Sequence, residues 1–130
     1  MIGIDTSVLV RALVDIEHPQ HHAAAQALTS RTIADPGFIA HATLVELFWV
    51  LRKSYGIDRE SILAIIQALA EASALEFEDG ESVVRALSLA AAGADFSDAL
   101  IQGSMELFGV SETVTLDRDA SRHLGWRLLG

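Results

Sequence analysis

A chain of 130 residues, 51% apolar and without cysteine, suffices for one domain with a real hydrophobic core; it excludes a disordered chain, a disulfide framework and a thiolate zinc site. The formal charge of −9, from 9 basic and 18 acidic residues, excludes a broad basic footprint for nucleic acid. Two readings are left: the protein never meets nucleic acid, or part of its negative charge is gathered at a site that cations neutralise. The apolar runs at 42–51, 61–70 and 83–94 are broken by Glu46, Gln67 and Arg85, and none reaches the ~18–20 residues of a membrane span. With no positively charged leader at the N-terminus, a cytoplasmic protein without membrane association is expected.

In chain order, residues 1–4 form a short apolar run ending at Asp5-Thr6-Ser7, the pattern of a buried strand handing over to a helix. Residues 8–14 and 20–28 carry helical spacing. Asp35-Pro36-Gly37 marks a turn before the apolar residues 38–40. A long apolar helix is predicted over 42–55, closed by Gly56, and a second over 59–72, capped by Asp58. Residues 75–78 alternate as a short strand. Helices are predicted over 81–92 and 96–108, stopped by Gly93 and Gly109. The β-branched and apolar residues 113–116 predict a buried strand ending at Asp117, and residues 126–129 a last edge strand. Strands alternating with helices point to an α/β fold around a parallel sheet, in a single domain spanning 1–130.

The carboxylates fall at telling places. Asp5 and Asp117 each follow a strand, where ligand sites form in open parallel sheets, although Asp5 is also a natural helix N-cap. Glu46 interrupts a helix that is apolar nearly all round, which predicts a buried glutamate in need of a cation. Asp95 and Asp98 stand three apart at one helix start, where capping and the helix dipole also favour acids. Acids gathered in one cleft repel one another unless a cation intervenes, and all-oxygen ligands favour magnesium or manganese over zinc. Such an ion can polarise a phosphoryl oxygen and activate water. His18, His21 and His22 lack partner ligands at helical spacing and read as a solvated helix start. Arg52, Lys53 and Arg59, and likewise Arg118, Arg122 and Arg127, read as solvated faces.

Four stretches together resemble the PIN-domain ribonucleases, and within them the VapC-type toxins: Ile4-Asp5-Thr6-Ser7-Val8-Leu9-Val10, Ala42-Thr43-Leu44-Val45-Glu46-Leu47, Ala94-Asp95-Phe96-Ser97-Asp98-Ala99-Leu100-Ile101 and Val114-Thr115-Leu116-Asp117. They stand in the family's order and cover nearly the whole chain. The resemblance implies a three-layer α/β/α sandwich around a parallel sheet. It also implies Mg²⁺ or Mn²⁺ held by Asp5, Glu46, Asp95, Asp98 and Asp117, with Asp5, Glu46, Asp98 and Asp117 catalytic and with Thr6 and Thr115 supporting the acids by hydrogen bonding. Ser7 departs from the family's frequent asparagine, and Leu116 from its frequent aromatic. By the same resemblance the substrate is RNA, contacted by Arg52, Lys53 and Arg118, and the partners are a second copy of the chain and a VapB-type protein antitoxin. The rival reading is a PIN-like RNA- or protein-binding module without turnover.

Overall fold

The computed structural model describes residues 1–130. The chain divides into two compact units, Met1–Glu78 and Asp79–Gly130, which are described separately.

In the first unit the elements run β1 (Ile2–Gly3), α1 (Thr6–Leu13), α2 (His21–Thr29), β2 (Gly37–Ile39), α3 (His41–Lys53), α4 (Arg59–Glu71) and β3 (Leu75–Phe77). The three strands are parallel with β2 in the middle, Ile2 facing Gly37 on one side and Gly37 facing Leu75 on the other. A side chain at Gly37 would meet those of Ile4 and Leu75 at 3.0 Å, so a larger residue there would require both to shift. Each crossover is helical, as parallel pairing requires. Helix α1 packs on α2 and α3, and α3 on α4. Leu44, Leu47 and Leu51, spaced three and four apart on α3, are fully buried, as are Ile62 and Ile66 on α4. Each contributes about 2 kcal/mol by leaving water. Asp58 caps α4 as its sequence position predicts, accepting from the Ser61 amide at 3.2 Å.

The second unit contains α5 (Gly80–Ala91), α6 (Phe96–Leu107), β4 (Val114–Thr115), α7 (Arg118–Leu124) and β5 (Arg127–Leu128). Strands β4 and β5 are parallel, with Val114 facing Arg127. Helices α5 and α6 make the main packing of this unit, and they meet closely because Gly103 leaves room for Ser82, both residues being buried. Gly93 (φ +115°) ends α5 in a conformation that side chains rarely adopt. Two expectations are corrected here. The strand at 113–116 is not buried: Val114 is 49% and Leu116 80% exposed, the main packing on β4 within this unit coming from α7 and β5. Helix α7, absent from the sequence reading, fills residues 118–124.

Helices alternating with parallel strands, the expected α/β pattern, are thus found in both units. No helix is long and apolar enough to cross a membrane.

Candidate active site

In the first unit, Asp5 stands just beyond β1 and occupies the N-cap position of α1, yet its side chain makes no capping bond. Its Oδ2 instead accepts from the Ser7 hydroxyl at 2.7 Å. That hydrogen bond holds the Asp5 carboxyl below the usual aspartate range, against a weaker upward push from desolvation. The Thr6 hydroxyl, beside it in sequence, is buried without a hydrogen-bond partner, so the support expected of Thr6 is not formed within the chain. The expected burial of Glu46 is corrected. It is exposed on α3, as is Trp49 at 61%, while the leucines at 44, 47 and 51 turn inward. The apolar stretch around Glu46 is thus a partly open face, and no basic side chain pairs with it.

In the second unit three acids cluster. Asp95 caps α6, its Oδ2 accepting from the Asp98 amide at 2.9 Å. Asp98 lies half-buried in the first turn of that helix. Asp117 caps α7 through a single oxygen, Oδ1, which accepts from the amides of Asp119 (2.8 Å) and Ala120 (3.2 Å). Thr115 fixes this turn by accepting from the Asp117 amide at 3.0 Å, so it supports the backbone of the acid and not its carboxylate. Desolvation, then the charges of Asp95 and Asp117, push the Asp98 carboxyl above its ordinary value. Both neighbouring carboxylates are therefore near enough for their charge to be felt at Asp98.

The donor chemistry suits a hard divalent cation: oxygen only, with Asp95 Oδ1, Asp117 Oδ2 and the whole Asp98 carboxylate free of hydrogen bonds. Within neither unit, however, do three acidic or imidazole side chains converge tightly enough to hold an ion.

A family model for the PIN domain matches residues 2–124, a span that includes every one of these acids. The chain belongs to the PIN domain family. Among solved structures it is similar to the crystal structure of Mycobacterium tuberculosis VapC20, a Sarcin-Ricin loop cleaving toxin, at 19% identity and a TM-score of 0.46, over 99% of this chain and 98% of that one. No curated protein matches it.

The basic groups of this PIN domain divide in two. Arg122 and Arg127 are paired with Asp119 (2.7 Å) and Glu112 (2.9 Å), whereas Arg52, Lys53 and Arg118 are exposed and form no ion pair. His18 and His21 engage backbone groups, the Gln20 amide at 3.0 Å and the Arg11 carbonyl at 2.8 Å, in keeping with a helix start and not a metal site. Sequence reasoning missed the capping work of Asp117. Its signals were present: Asp119 in the first turn, Arg122 and His123 in the last, and Gly125 immediately after.

Proposed function

We propose that this PIN domain is a Mg²⁺- or Mn²⁺-dependent endoribonuclease, the toxin of a type II toxin–antitoxin pair, working in the cytoplasm as a homodimer that a VapB-type antitoxin restrains. The observation that carries the reading is the family match over residues 2–124, which takes in Asp5, Glu46, Asp95, Asp98 and Asp117 together. A single family model over that span also supports treating the chain as one domain. The VapC-type motifs around those acids favour the toxin over a silent binding module, because a module without turnover has no need to keep every acid.

Asp5, Glu46, Asp95, Asp98 and Asp117 are the residues that would hold the ion. When bound, a divalent ion supplies Lewis-acid polarisation of a phosphoryl oxygen and a water acidified toward neutral pH. The chain's own residues do the rest. Ser7 donates to Oδ2 of Asp5, fixing that oxygen and leaving Oδ1 as the free acceptor. Asp98 would add a half-buried carboxylate, whose repulsion by Asp95 and Asp117 a bound cation would relieve. Asp95 fixes the start of α6, which carries Asp98, and Asp117 fixes the start of α7. Exposed Arg52, Lys53 and Arg118 meet the flanking phosphates.

The test is cleavage of hairpin RNAs by the purified chain with Mg²⁺, with EDTA, and with Asp5→Asn or Asp98→Asn. Cleavage is expected only with the ion and the intact acids. Undiminished cleavage by a clean preparation of either variant overturns the proposal.

A further inference from the structure

Between α1 and α2 lies a cavity of about 280 Å³, lined mainly by apolar groups including Val8, Ala23 and Ala27, with Ser7, Arg11 and Gln20 as its polar members. It falls just below the ~300–1,000 Å³ of most small-molecule sites, and is far too small for a helix about 10 Å across. One planar ring fits its size and its lining.

Its polar members narrow the ligand. The Arg11 guanidinium is held in place: its Nη1 donates to Asp15 at 3.3 Å and to the Tyr55 hydroxyl at 3.1 Å, and that hydroxyl donates to Asp15 at 3.3 Å. Asp15 and Tyr55 engage Nη1 alone and Nε is buried without a partner, so the guanidinium is held at one end and can present its flat face for stacking. The Gln20 side chain is exposed and makes no hydrogen bond within the chain, leaving both a donor and an acceptor for the edge of a ring. Ser7 lines the cavity and also donates to Asp5, so the cavity begins one hydrogen bond from a candidate catalytic carboxylate.

We propose that this cavity is a nucleobase subsite. It receives the base of one unpaired nucleotide beside the scissile phosphodiester, and so sets the sequence at which the chain cuts; this rests on the ribonuclease reading of Asp5. Apolar walls take the faces of the ring, Arg11 stacks on it, and Gln20 reads its edge.

The experiment is a pool of hairpin RNAs with randomised loops, cleaved by the full chain with Mg²⁺ and sequenced at the cut ends. The wild type is expected to favour one base at a position flanking the cut by about tenfold or more. Gln20→Ala, which removes the edge contact, and Ala23→Phe, which fills the cavity from an exposed position, are each expected to bring that preference below about threefold while the pool is still cut. Preference unchanged in both variants overturns the subsite alone. So does unchanged preference joined to weaker inhibition by a cognate antitoxin with Ala23→Phe, which would make the cavity a protein-binding groove. No cleavage of any pool member by the wild type overturns the ribonuclease reading, and the subsite with it.

Discussion

Replacing Asp98 with asparagine keeps the shape of the side chain and removes a charge that the folded chain holds unfavourably. Desolvation and the charges of Asp95 and Asp117 raise its pKa above the ordinary aspartate value of 3.8. A carboxyl whose pKa is raised by folding destabilises the folded state when ionised. The penalty is complete above the folded pKa and disappears as pH falls through it toward 3.8. Against it stands the favourable placement of an acid in the first turn of α6, worth about 0.3–1 kcal/mol. Two like-charge contacts at roughly 0.2–1 kcal/mol each, plus partial desolvation, outweigh that dipole contribution, as the upward shift requires. Because Asp98 remains largely solvated, screening limits the net to about 1 kcal/mol or less. For a chain of this size that is about 3–5 °C in Tm. Thermal unfolding followed by circular dichroism at pH 7 in EDTA is therefore expected to show Asp98→Asn melting a few degrees above the wild type, with the gap closing near pH 4. Saturating Mg²⁺ is expected to reverse the order, since an ion at a hundredfold its Kd stabilises the wild type by about 2.7 kcal/mol. A variant that melts below the wild type in EDTA, or a gap unchanged by acid, would refute the reasoning.

Other consequences are as direct. Ser7→Ala removes the 2.7 Å hydrogen bond to Asp5, so the Asp5 pKa should rise toward its ordinary value in an NMR titration of the carboxyl carbon; an unmoved titration would dismiss the role given to Ser7. Asp117→Ala should cost about 1 kcal/mol in urea unfolding through loss of the α7 cap, whereas Asp117→Asn should keep most of that stability and still lose cleavage. Equal stability losses in the two variants would show that the charge, and not the cap, holds the helix start. Gly103→Ala would bring a methyl group to 2.6 Å from the Ser82 hydroxyl, and is expected to cost about 1–3 kcal/mol by the same urea measurement; a neutral result would mean that α5 and α6 separate freely.

Most elements were legible from local signals. The cap at Asp58 and the helix stops at Gly56, Gly93 and Gly109 are short-range chemistry, and the structure has positive φ at all three glycines. Helix α7 escaped because its seven residues carry no apolar stripe; caps and end charges were its only marks. Glu46 shows a different limit. Composition says that a helix is apolar, but not which face the core reaches. On α3 the leucines three and four apart take the buried face, leaving Glu46 and Trp49 outside. Residues 113–116 fail in the same way, since β-branched side chains favour a strand without fixing what covers it. At the candidate site, the positions of the acids could be read from the chain, but their individual duties could not. Asp5 sits where a cap belongs and does not cap, while Asp95 and Asp117 do.

Those two caps leave a mark on what substitutions the chain can accept. Each ties one carboxylate oxygen to helix amides and leaves the other unengaged, so the rotamer is settled when the helix forms. A ligand meeting the second oxygen finds a side chain with little torsional freedom left to lose. Asparagine keeps the amide contacts and gives up the charge; glutamate keeps the charge, but its longer arm misplaces the cap. At positions 95 and 117 aspartate alone satisfies both demands, and conservative exchange there should be as damaging to activity as removal.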